Sequence, residues 1–150
     1  TDTATRFQMN RHFDPPGTAD AWQVSNPPIL AMAPVEVSLR IFDDIGIQTL
    51  RERSLRLTTY LRSLFDEVIA ELPAGTMHLV TPADENRHGC QLSVRFTCDI
   101  NRLADVLRDE DGVIADTRNP DIIRFAPVPL YSTYQDCWRA ADALRRHLST

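Results

Sequence analysis

From Ile47 to Leu72 the chain places Leu50, Leu57, Leu61, Leu64, Phe65, Val68 and Leu72 at helical spacing, with no glycine or proline among them. Such spacing gathers the apolar side chains on one face of an α-helix, whereas a strand would scatter them over two faces. A stripe this long has to be covered by another layer, which restricts the fold to helices packed on a sheet or on each other. Pro73-Ala74-Gly75 ends the helix. Arg51, Glu52, Arg53, Arg56 and Arg62 fall on its other faces and read as a solvated surface.

Upstream, Ser25-Asn26-Pro27-Pro28 combines N-capping residues with prolines suited to a helix start, which predicts a helix over Ile29 to Ile45, stopped by Gly46. Residues 1 to 25 carry Pro15, Pro16 and Gly17, show no sustained period and read as an extended lead-in. The expected division is therefore 1–25 and 26–150. The opening Thr1-Asp2-Thr3-Ala4-Thr5 has no initiator methionine, so the chain is expected to begin inside a longer one.

Downstream the period shortens. Met77 to Thr81 and Cys90 to Thr97 read as strands, the second alternating Leu92, Val94 and Phe96 against Ser93, Arg95 and Thr97. Asn101 to Glu110 reads as a short helix through Leu103, Val106 and Leu107, and Gly112 leads into an extended segment, Val113 to Asp116. Ile122 to Ala126 supplies the next strand. Ser132 and Gln135 resemble a capping box for a last helix carrying Trp138, Ala141, Leu144 and Leu148. The expected fold is α+β, a mostly antiparallel sheet packed against helices in two layers.

The 150 residues suffice for one well-buried domain. A net charge of -5 with scattered basic residues speaks against nucleic acid. No apolar run is long enough for a membrane span and no signal pattern opens the chain, so a soluble cytoplasmic protein is expected. Cys90, Cys98 and Cys137 have neither C-x-x-C spacing nor a paired histidine, so they read as reduced thiols, and no metal site is expected. His12, His78 and His147 read as surface or packing residues. All 16 basic residues are arginines. Without a lysine, no side chain here can form a Schiff base.

In Asn119-Pro120-Asp121-Ile122-Ile123-Arg124-Phe125-Ala126-Pro127-Val128-Pro129-Leu130-Tyr131, one arginine interrupts an apolar run just before a proline-rich break. A guanidinium held near a strand end is a planar, permanently charged fork suited to a carboxylate. The residues alone leave two uses open, an anion clamp or a salt bridge to a nearby acid.

Three stretches together, Thr5-Arg6-Phe7-Gln8-Met9, Ser25-Asn26-Pro27-Pro28-Ile29-Leu30 and Arg118-Asn119-Pro120 through Arg124 to Tyr131, resemble the kynureninase family of pyridoxal-phosphate hydrolases. His88-Gly89-Cys90-Gln91-Leu92 adds to the resemblance. It covers nearly the whole chain, but only the family's C-terminal part. The resemblance implies the small C-terminal domain of the aminotransferase-like, fold-type-I enzymes, with the cofactor domain and its lysine elsewhere.

The implied parent reaction is hydrolysis of L-kynurenine, or its 3-hydroxy form, to L-alanine and anthranilate or its hydroxylated counterpart, within tryptophan catabolism. The implied cofactor is pyridoxal 5'-phosphate, which this chain is not expected to retain by itself, and the implied assembly is a homodimer. Arg124 matches the family's substrate arginine, the ligand of the α-carboxylate. Asn26 matches the asparagine near cofactor and substrate, with Ser25 a secondary candidate for the same contact. Arg118 and Tyr131 would shape the loop around Arg124. No catalytic group is expected in these residues. A cysteine-desulfurase relative with the same small domain, and a binding or assembly module without catalysis, are the alternatives.

Overall fold

A computed structural model describes residues 8, 11, 12, 15–23 and 25–149. The Thr5 to Met9 motif therefore lies almost wholly outside the described residues. The chain divides into two compact units, Thr1–Asp44 and Ile45–Thr150. The division falls after Asp44, whereas the sequence patterning put it after residue 25.

In the first unit a short 3-10 turn, Ala19–Trp22, precedes helix α1, Ile29–Ile45. The Pro28 carbonyl accepts from the N–H groups of Ala31 and Met32, so Pro28 holds the cap position expected of Ser25 or Asn26. Pro34 lies inside the helix and deprives the Leu30 carbonyl of its donor.

The second unit begins at Ile45, the last residue of α1, and after Gly46 runs as α2, Ile47–Glu71. Gly46 has φ +85°, a conformation that costs other residues strain, and this breaks the chain between two otherwise helical stretches. β1 (Met77–Leu79), β2 (Leu92–Phe96), α3 (Ile100–Asp111), β3 (Asp116–Arg118), β4 (Ile122–Phe125) and α4 (Tyr134–Leu148) follow. The sheet order is β1-β2-β4-β3, and every neighbouring pair is antiparallel. The α+β class with an antiparallel sheet is as expected.

One sheet face carries the core. Leu92, Val94, Phe96, Ile123 and Phe125 are buried against the α2 stripe of Leu57, Leu61, Phe65 and Val68, with Leu107 and Leu144 closing the sides. Phe65 meets Phe125 edge to face, ring centres 5.1 Å apart. Ser54 and Thr58 share the buried stripe, where the Thr58 hydroxyl donates to the Ser54 carbonyl at 2.8 Å.

Two helix starts differ from the sequence expectation. Asp99 caps α3 by accepting from the Asn101 and Arg102 N–H groups. The capping box of α4 is Thr133 with Asp136, one residue later than Ser132 with Gln135. Both pairs have the i,i+3 spacing, and the carboxylate wins because it accepts from the Thr133 N–H and hydroxyl, each at 2.8 Å. Those bonds hold the Asp136 carboxyl below the usual carboxylate range.

The α2 arginines are not merely solvated. Arg51 donates to the carbonyls of His88, at 3.1 Å, and Glu85. Arg62 donates to those of Thr81 and Pro82, both at 2.8 Å, and Arg53 to those of Pro129 at 2.9 Å and Ser132 at 3.0 Å. A guanidinium can satisfy two loop carbonyls at once, so α2 fastens the loop before β2 and the loop after β4.

α3 and α4 are joined through Asp111, whose side chain is 10% exposed. It accepts from Arg146 Nη2 at 2.6 Å, and His147 Nε2 lies 2.8 Å from its other oxygen. His147, expected to be a bland residue, is thus part of a helix-to-helix link. Arg146 first, then His147, holds the Asp111 carboxyl below its ordinary range. A depressed folded value means the contribution is complete above the unfolded carboxylate range and fades as pH falls through the folded one. Asp111→Asn is therefore expected to cost about 1–2 kcal/mol at pH 7. The gap to the parent should narrow below about pH 4. Urea unfolding at pH 7 and pH 3 measures it, and an equal gap at both would refute the link.

Candidate functional site

The sheet's second face is polar. Directly opposed residues of antiparallel strands project to the same side, so the register aligns Ser93, Arg124 and Asp116 in one row and His78, Arg95, Ile122 and Arg118 in the next. β4 alternates because Ile123 and Phe125 point into the core while Ile122 and Arg124 are half-buried on the other side. Arg124 is thereby fixed by strand period, with its backbone paired on both edges.

Its guanidinium donates from both Nε, at 2.8 Å, and Nη2 to the same oxygen, Oδ2 of Asp116. Arg118 Nη1 donates to the other oxygen, Oδ1, at 2.6 Å. These two guanidiniums, Arg124 foremost, hold the Asp116 carboxyl below the usual range. Arg95 pairs with Asp121 at 3.0 Å. Three guanidiniums, Arg95, Arg118 and Arg124, thus face two carboxylates, Asp116 and Asp121, which leaves an excess positive charge on this face.

The salt bridge and the anion clamp prove compatible in geometry. Asp116 takes the side-on edge of Arg124, Nε and one hydrogen of Nη2. The end-on edge, Nη1 and the second hydrogen of Nη2, has the spacing that binds a carboxylate through two parallel bonds. Asp116 and the role of Arg118 were not found from the sequence. The signal was there: strands meeting in a hairpin around Asn119 to Asp121 pair 118 with 122 and 116 with 124.

The loop after β4 turns through Val128, whose carbonyl accepts from the N–H groups of Tyr131 and Ser132. Arg53 secures it from α2. A cleft of about 300 Å³ beside it is lined by Val113, Ile114, Phe125, Pro127, Tyr131 and Arg139. Arg124 is not among its lining residues, so cleft and arginine are separate features. Tyr131 is exposed, as are Asp116, Arg118 and Arg95, while Arg124 and Asp121 are half-buried.

Ser25 and Asn26 are exposed residues of the first unit, just ahead of α1, and the Ser25 carbonyl accepts from Gln23 Nε2 at 2.9 Å. Arg124 belongs to the second unit. The amide of Asn26 and the hydroxyl of Ser25 have donors suited to a cofactor phosphate or a substrate carboxylate, so their chemistry fits accessory contacts to pyridoxal phosphate. Nothing in the chain fits its covalent attachment, since no lysine is present.

Cys90, Cys98 and Cys137 are free thiols. Cys137 is buried, which pushes it up to about 11, and burial also raises Cys98. His88 Nδ1 lies 2.8 Å from the Gly89 carbonyl. Among the described residues no His/Cys/Asp/Glu group could hold a metal ion, and no helix is long and apolar enough to cross a membrane.

A single core-bearing sheet face, with an arginine-rich face opposite, defines a small α+β domain. A solved structure of 8-amino-7-oxononanoate synthase from Francisella tularensis shares this fold, with TM-score 0.57 and 18% identity, over 87% of this chain and 36% of that one. Residues 50–144 match the family model described as kynureninase C-terminal domain. The kynureninase of Salinispora tropica is 59% identical over 96% of this chain and 33% of its own length. Those of Koribacter versatilis and Myxococcus xanthus are each 44% identical, over 92% and 97% of this chain. The chain belongs to the kynureninase C-terminal domain family. It spans about a third of the length of these curated relatives.

Proposed function

We propose that this chain is the C-terminal part of a pyridoxal-phosphate-dependent kynureninase. The parent hydrolyses L-kynurenine, or 3-hydroxykynurenine, to L-alanine and anthranilate or 3-hydroxyanthranilate, and acts as a cytoplasmic homodimer. The observation that carries the reading is the Arg124 guanidinium, held by Asp116 with its end-on edge directed away from that partner.

Pyridoxal phosphate, when bound in the parent, supplies the electron sink that carbon–carbon cleavage needs. This chain's work is positioning. Arg124 pairs with the substrate α-carboxylate through two bonds, which fixes the rotation of the amino acid about its Cα and so selects the bond to be labilised. Arg118 shares the Asp116 carboxylate, keeping that group charged and the Arg124 side chain oriented. Arg53 holds the loop from Pro127 to Tyr131 against α2, so the backbone following Arg124 keeps one shape. Asn26 and Ser25 contact the cofactor or substrate through neutral donors.

The test is direct. The full-length parent, loaded with cofactor, is expected to release anthranilate from L-kynurenine, followed by anthranilate fluorescence, whereas the 150-residue chain should show no turnover. Desulfuration of L-cysteine by the parent, with none of this fluorescence from kynurenine, would replace this reading with that of a desulfurase relative.

A further inference from the structure

α1 runs from Ile29 to Ile45 without a single buried residue. Leu30 is 91% exposed, Val37 62% and Leu39 57%. At 100° per residue, Glu36, Arg40, Asp43 and Asp44 share one narrow stripe, Glu36 and Arg40 pairing at 2.6 Å. Leu30, Met32, Val35, Val37, Leu39, Ile41, Phe42 and Ile45 take up well over half the remaining circumference. A helix lying on the outside of a domain needs an apolar arc of about 100°. This one is patterned for burial on more than one side, and so large an apolar surface has no place in water.

Two independent boundaries separate α1 from the C-terminal domain. The compact units divide between Asp44 and Ile45, and the family match begins at residue 50. The curated relatives carry about two-thirds of their length outside the matched part. From these observations we propose that α1 is an element of the preceding domain of the same polypeptide. Its apolar arc docks into that domain's core, leaving the Glu36–Arg40 stripe outermost, and Gly46 marks the crossing from one domain to the next. The arc is too broad for a helix covered along one seam, which favours a domain interior over a second copy of the chain.

The inference rests on the chain's belonging to a longer parent and not on the reaction assigned to it. The wild-type full-length protein tests it without any variant that might fail to fold. Hydroxyl-radical footprinting of Met32 and Phe42, with hydrogen exchange over residues 29–45, is read in native and in urea-unfolded samples. Labelling at least tenfold slower in the native protein, and unchanged when dilution separates the subunits, is expected. Labelling at the unfolded rate would overturn the proposal. So would protection that disappears on dilution, which would assign the arc to a second copy. An inactive parent with α1 protected would reject the kynureninase activity and leave this inference standing.

Discussion

Replacing Arg124 by methionine in the full-length parent is expected to lower kcat/KM for L-kynurenine at least tenfold, about 1.4 kcal/mol or more of transition-state stabilisation. Charge-assisted bonds contribute roughly 1.5 to 3 kcal/mol, so the loss ranges from about tenfold to somewhat more than a hundredfold. The fold should tolerate the change. Arg118 keeps Asp116 paired, the β4 ladder is backbone, and a pair this open to solvent contributes little to stability. Arg124→Lys separates charge from shape: it retains the cation and loses the two-bond fork, and should fall between parent and methionine variant. Steady-state kinetics beside thermal unfolding give the answer. Kinetics unchanged in Arg124→Met would leave the residue as the structural partner of Asp116 alone.

How far the chain could be read from its sequence depended on whether the deciding interactions were local. α2 was legible because its apolar period is a property of consecutive turns, and α1 ends where Gly46 said it would. The α4 cap was placed one residue early because Ser132 with Gln135 and Thr133 with Asp136 satisfy the same spacing. Only the hydrogen bonds distinguish them. Arg51, Arg53 and Arg62 looked like surface charges because their carbonyl partners lie in distant loops, such as Pro129 for Arg53.

The candidate site divides in the same way. Arg124 stood out as the one charge in an apolar run, but its partner Asp116 is visible only once the hairpin register is known. Asn26 and Ser25 were singled out by the family resemblance, since their own sequence signal, a helix cap, falls to Pro28 in the structure. The division of the chain is a related case: helical periodicity reports that α1 is a helix and has nothing to say about which core it serves, whereas the compact units divide after Asp44.

The largest effect on stability is expected at Phe65. Its side chain is fully buried on α2 and packs edge to face on Phe125, the β4 residue next to Arg124. Phe65→Ala removes the ring and leaves a cavity between the helix layer and the sheet, and changes of this kind cost about 3–5 kcal/mol. Collapse cannot readily fill the space, because Leu61, Val68 and Leu92 around the same core are tied to a helix and a strand of fixed register. Phe65→Leu, which keeps much of the volume, should cost less than half as much. Urea unfolding of the two variants measures the difference. Since Phe125 shares β4 with Arg124, a loosened core should also raise the KM of the parent for kynurenine before it abolishes folding. Equal stability of the alanine and leucine variants would show that the sheet and α2 are held by something other than this contact.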